Sequence, residues 1–187
     1  MVTYYDSSNQ LSSYKMGLDL SRLINKTMKK GQQLVILCIG SDRSTGDSLG
    51  PLIGHKLSRY CLENVYIYGT LNEPVHAINI QHTIDKIYDE FENPFILAID
   101  ASLGVRNHVG YYTLGQGPLI PGLGVNRSLP AIGDLHITGI VNYSGLFDEM
   151  LLQTTRLSSV FTLAETISSG IVIAVNHCSH ATVENYA

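Results

Sequence analysis

Basic residues are few in this sequence. Lys and Arg number 12 against 16 Asp and Glu in 187 residues, for a net charge of −4. Only Lys26, Lys29 and Lys30 gather, which is too little for a nucleic-acid surface. Cysteine is also scarce. Cys38, Cys61 and Cys178 are odd in number and lack C-x-x-C spacing, so a disulfide framework is not expected and the thiols read as reduced, in a cytoplasmic compartment. The N-terminus, MVTYYDSSNQ, has no basic region followed by an apolar run, so no signal peptide is expected. The longest apolar run near the end, Ile171 to Val175, is too short to span a bilayer. Low-complexity tracts, internal repeats and linkers are missing. With 44% apolar and 15% charged residues, the expectation is one globular domain over 1–187.

What is present is an alternation of apolar patterns. Residues 1–14 are polar with scattered tyrosines and read as a surface arm. Met16, Leu20, Leu23, Ile24 and Met28 recur at helical spacing, with Gly31 as a stop. Leu34 to Ile39 is an unbroken apolar run, as in a strand buried on both faces of a parallel sheet. A polar loop follows, then a helical stripe from Leu49 through Leu57 to Tyr60 and Cys61. Val65–Tyr68 reads as a strand, Ile80 to Phe91 as a helix, and Phe95–Ile99 as a strand ending at Asp100 in an Asp100–Gly104 turn. This β-α-β-α-β order predicts a three-layer α/β/α fold with a mostly parallel central sheet. Gly110–Leu114 and Leu135–Val141 read as further strands. Two helices follow, marked by Leu146, Phe147, Met150 and Leu151, and by Val160 to Ala174. The Gly- and Pro-rich stretch 115–130 reads as a functional loop. The tail after Asn176, including His177, Cys178 and His180, reads as solvated, without a zinc site.

In such a sheet, ligands bind at the carboxyl ends of the strands beside the point where the winding reverses. The loop Ser41–Asp47 leaves one strand there and Asp100 ends another, so the two aspartates are expected to converge. At about 4 Å and an effective dielectric near 20, two carboxylates repel by roughly 4 kcal/mol. That is about three pKa units, so one could hold a proton while the other stays ionised. The pair could then activate water and protonate a leaving group, or share a divalent cation. A structural reading competes for each. Asp47 precedes a helix, where Asp is a favoured N-cap and where the helix end would lower its pKa. Asp100 could cap a turn, and Asp42 could pair with Arg43 on the surface. The loop is not a phosphate loop: an extra residue separates its glycines, and Asp47 stands where the phosphate-binding Lys belongs. No G-x-G-x-x-G fingerprint and no G-x-S-x-G elbow exist, and no cysteine sits in a nucleophile turn. His76 and His136 are the histidines expected near the same edge, each as a base, a ligand or a hydrogen-bonded structural residue.

The stretch CIGSDRSTGDSLGPLIGHKL (38–57) resembles the signature of the YyaC family of sporulation proteins, often labelled spore proteases. LNEPVHAIN (71–79), AIDASLG (98–104) and PGLGVNRSLPAIGDLHITGIVN (121–142) carry the same resemblance. It implies a hydrolase-like α/β/α fold shared with the spore germination protease and with hydrogenase-maturation endopeptidases. It also implies that Asp47, in GDSLGP, and Asp100, in IDAS, match the two aspartates implicated in cleavage by the germination protease. In the maturation endopeptidases a Glu, an Asp and a later His recognise nickel; Asp47, Asp100 and His136 are the candidates here for a divalent metal. No cofactor is otherwise expected. The expected function is a sporulation-associated peptidase, with Asp47 and Asp100 polarising a water. Arg43, Gly124 and Asn126, the last two in the Pro121–Leu129 loop, are candidate substrate contacts. The implied substrates are peptides or proteins, small acid-soluble spore proteins among them, in the cytoplasm of a sporulating cell or forespore. Neither nucleic acid nor membrane is an expected partner. The alternatives are a non-catalytic binding or regulatory module on the same fold and a metal-dependent maturation-type endopeptidase.

Overall fold

The computed structural model describes residues 2–121 and 131–183, the side chains of 179–183 excepted. Its strands are β1 (Val2–Asp6), β2 (Leu34–Cys38), β3 (Val65–Tyr68), β4 (Phe95–Gly104), β5 (Tyr111–Gln116) and β6 (Leu135–Tyr143). They form one sheet in the order β1-β5-β6-β4-β2-β3. β3, β2, β4 and β6 pair in parallel, while β5 runs antiparallel to β6 and β1 antiparallel to β5. β2 and the first half of β4, Phe95–Ile99, are continuous apolar runs because both of their faces are covered.

Alternation sorts the side chains between two cores. Leu34, Ile36 and Cys38 of β2, and Phe95, Leu97 and Ile99 of β4, point toward α1 (Ser12–Thr27), α2 (Leu49–Leu57) and α5 (Leu157–Val183). Val35, Leu37, Ile96 and Ala98 point the other way, toward Ile80, Ile84 and Ile87 of α3 (Ile80–Glu90). A short helix, α4 (Asp148–Gln153), packs beside the loop that follows β2. The three layers expected from the sequence are therefore present. Leu97 lies fully buried in the larger core. Leu97→Ala is expected to cost about 2–5 kcal/mol, from lost transfer free energy and an unfilled cavity. Urea unfolding checks it; a loss under about 1 kcal/mol would mean that the core collapses around the gap.

Four segments depart from the sequence reading. Residues 2–6 are not a loose arm. They form edge strand β1 on β5, with Tyr5 buried against Tyr112 and its hydroxyl donating to Asp19 at 2.8 Å. Helix α2 stops at Leu57, so Tyr60 and Cys61 lie outside it. β4 does not turn at Asp100; pairing with β6 carries it to Gly104, through an irregularity between Ser102 and Leu103. Helix α5 continues past Asn176, and Cys178 packs against the core instead of standing in solvent. The segment Leu157–Cys178 of α5, with mean hydropathy 1.5, is long and apolar enough to cross a membrane. Half of it is buried inside the fold, where Val160, Leu163, Ile167 and Ile171 wall the larger core.

Candidate active site at the switch point

β2 has β3 on one side and β4 on the other, with α2 and α3 on opposite faces of the sheet. Its carboxyl end is thus the point where the winding reverses. Cys38 pairs with Ile99, and the Ile39 N–H donates to the Ile99 carbonyl at 2.7 Å. Asp100 therefore stands beside Ile39, about one strand spacing of 4.8 Å away.

Asp47 reaches the same end by a tight reversal. Gly40 has φ +143°, and a Cβ there would collide with the Asp47 carbonyl oxygen. The Ser41 N–H donates to that oxygen at 3.1 Å. Asp47 belongs to a single 3-10 turn, Gly46–Ser48, which packs against β4, α4 and α5. The turn corrects the N-cap expectation: Ser48, not Asp47, occupies the cap position of α2, and no side chain caps it. The expected lowering of the Asp47 pKa is also overturned. Burial pushes its carboxyl above the ordinary value, against the opposing pulls of the Ser41 N–H and the nearby His76.

A folded-state pKa above the unfolded one means that the native state binds the proton more tightly. Stability is then lost as pH rises through that window. Ionised Asp47 thus costs stability at neutral pH. Asp47→Asn is expected to unfold at a higher temperature than the native chain at pH 7.5, with the difference closing below about pH 4, where both states are protonated. Thermal melts at pH 7.5 and 3.5 check this. A variant less stable at pH 7.5 would show that the carboxylate serves the fold.

Asp100 is 7% exposed, and its Oδ1 accepts the Ala101 N–H at 2.8 Å. It shares a sheet face with its register partner Thr138, whose hydroxyl lies 2.5 Å from that of Thr113. This face is open beyond α3. A groove of about 410 Å³ runs over it, floored by Ser102, Thr113, His136 and Thr138 and walled by Tyr4 and His108. The sequence reading missed the groove, although the one-in-two polar positions of LHITG (135–139) are its signal.

The two histidines separate. His136 pairs with Ala98, two residues before Asp100 in register, and its Nδ1 is 2.9 Å from the Gly117 carbonyl oxygen. Its ring fills the space over Gly115, where any Cβ would strike it. Asp47, Asp100 and His136 do not assemble as a ligand set. Among the described residues no three His, Cys, Asp or Glu side chains come together to hold a metal ion. His76, by contrast, lies close enough to Asp47 to favour its ionised form. Arg43 is exposed, and its N–H donates to Ser41 Oγ at 3.2 Å. The expected Asp42–Arg43 pair does not form; the ion pairs among the described residues are Arg22–Asp19 and Lys56–Glu165. Gly124 and Asn126 lie outside the described residues. Cys38 is buried beneath the site, and burial pushes its thiol up, which makes it a poor nucleophile.

A family model described as "Protein of unknown function (DUF1256)" matches residues 3–170. The chain is 46% identical over 154 residues to the uncharacterized protein YyaC of Bacillus subtilis (strain 168), covering 81% of this chain and 75% of that protein. Its fold is similar to that of the [NiFe] hydrogenase maturation protease HycI from Thermococcus kodakarensis KOD1. The TM-score is 0.52, over 82% of this chain and 99% of that one. At 17% identity that likeness concerns the fold alone.

Proposed function

The chain belongs to the DUF1256 family, and we propose that it is a peptidase-like hydrolase that cuts peptide bonds with Asp47 and Asp100. The observation that carries this reading is the position of Asp100 on β4 beside the carboxyl end of β2, where the turn bearing Asp47 folds back over Gly40. The peptidase-like fold supports it. In this reading Asp47 takes the proton of a water, and Asp100, anchored by the Ala101 N–H, orients that water toward the substrate carbonyl. Burial makes Asp47 a stronger base than a solvated aspartate, while the Ser41 N–H and His76 keep its ionised form accessible. A base is most effective when its pKa lies near the working pH, so the upward shift suits this task.

The open groove beyond Asp100, floored by Ser102, Thr113, Thr138 and His136, has the dimensions for an extended peptide. Its substrates would be unfolded peptides or proteins, small acid-soluble spore proteins among them, in the cytoplasm of a sporulating cell or forespore. The resemblance to YyaC is what suggests that setting. The test is incubation of the purified chain with unfolded peptides and with small acid-soluble spore proteins between pH 5 and 9, followed by mass spectrometry. Defined fragments are expected. Stoichiometric binding without fragments at any pH would replace the peptidase with a binding module.

A further inference from the structure

Resting on the peptidase reading, we propose that His76 is a further catalytic residue of the same site, the acid that gives a proton to the leaving amine. Asp47 and Asp100 account for water attack, and a separate donor beside Asp47 would free Asp47 from having to serve as the acid in the second step as well.

The placement of His76 follows from the main chain. Val75 forms a parallel bridge with Ile39, and the Gly40 N–H donates to the Val75 carbonyl at 2.7 Å. His76 thus leaves the sheet beside Gly40, the residue over which Asp47 is folded. Its backbone is held on both sides. The N–H donates to Asn79 Oδ1 at 2.8 Å, and the carbonyl accepts the N–H groups of Asn79 and Ile80 at 3.0 and 2.9 Å. Asn79 Nδ2 in turn donates to the Pro74 carbonyl at 2.9 Å. The ring is treated differently. Its Nδ1 is buried and has no hydrogen-bond partner among the described residues. A buried ring nitrogen left without a partner is costly to the folded state. A histidine kept for the fold spends its ring nitrogens on it, as His136 does on Gly117. His76 uses only its main chain for the fold and leaves Nδ1 to a partner that the described residues do not supply.

The step balances without a further reactant. Asp47 takes a proton from water as the water oxygen bonds to the substrate carbonyl carbon. The tetrahedral intermediate then breaks its C–N bond while protonated His76 gives its proton to the amine nitrogen. Transfer of the proton from Asp47 to His76 restores the starting state, with one water consumed.

The test compares an amide with an ester of the same acyl segment, the ester carrying a leaving group that needs no proton. His76→Gln is expected to slow the amide at least about 100-fold and the ester by no more than a few-fold. Equal losses on both substrates, or none on either, would overturn the assignment. A wild-type chain that cuts neither substrate would overturn the peptidase reading and the role of His76 with it. Carbon-13 titration of the Asp47 carboxyl separates the two failures, because it needs no turnover. Loss of the nearby imidazole in His76→Gln is expected to move the Asp47 midpoint upward, and an unmoved midpoint would show that the two side chains are not a pair.

Discussion

Asp47→Asn and Asp100→Asn should each lose peptide cleavage by about a thousandfold or more while keeping the native fold. The size follows from the role proposed for each carboxylate. Removing a base that takes the proton of attacking water typically costs 10²–10⁴ in rate, and residues that act as a unit lose most of their effect together. The double variant is therefore expected to be little worse than either single one. The fold should survive because asparagine keeps the shape of each side chain. At position 47 the substitution also relieves a half-buried carboxyl that is held above its ordinary pKa. Loss of activity with a gain in stability would mark Asp47 as a residue retained for chemistry. Initial rates on an unfolded peptide, with circular dichroism on the same samples, check both halves. A single variant within tenfold of wild type would remove that residue from the mechanism.

Gly40→Ala should be the most damaging single change to the architecture of the site. Two penalties coincide there. The backbone sits at φ +143°, and the new methyl would strike the carbonyl oxygen of Asp47. Gly31 makes the comparison clean: it has φ +91° but open space around its missing side chain. Gly31→Ala should cost about 1–2 kcal/mol, for strain alone. Gly40→Ala should cost about 3–5 kcal/mol or prevent folding, because the collision is with backbone that cannot rotate away. Urea unfolding of the two variants side by side measures the difference. Equal costs would mean that the turn carrying Asp47 has room to move off β2, and a mobile turn would not hold a base in register with Asp100.

The parts of the fold that local pattern controls are the parts that the sequence makes legible. Leu34–Cys38 and Phe95–Ile99 are apolar without alternation because helices cover both of their faces, and that signature needs no partner to be read. β1 is a different case. Val2 and Tyr4 are exposed and only Tyr5 turns inward, so the segment has strand-favouring residues but no apolar face to show where it docks; β5 supplies the pairing. The extension of β4 through Ser102 to Gly104 likewise depends on β6. At the site, topology alone brings Asp47 and Asp100 to one edge, since the switch point follows from the element order. The state of Asp47 does not follow from it. GDSLGP has the residues of a capped helix start, but the 3-10 turn moves the cap to Ser48 and leaves Asp47 half-buried, which reverses the direction of its pKa shift. His76 and His136 are indistinguishable as letters. They separate only when Gly117 is seen to engage one ring and the described residues are seen to leave the Nδ1 of the other alone.

A water activated between two aspartates is the central event of the proposed reaction, and cleavage in ¹⁸O-labelled water over a single turnover reads it directly. With enzyme in excess over an unfolded peptide, the predicted result is one ¹⁸O atom in the new carboxyl terminus of the first product formed, and no product from the Asp47→Asn, Asp100→Asn double variant. An unlabelled carboxyl in the first turnover would mean that a side chain attacks in place of water. Equal fragment yield from the double variant, or no fragment from the wild-type chain, would contradict the two-aspartate site itself.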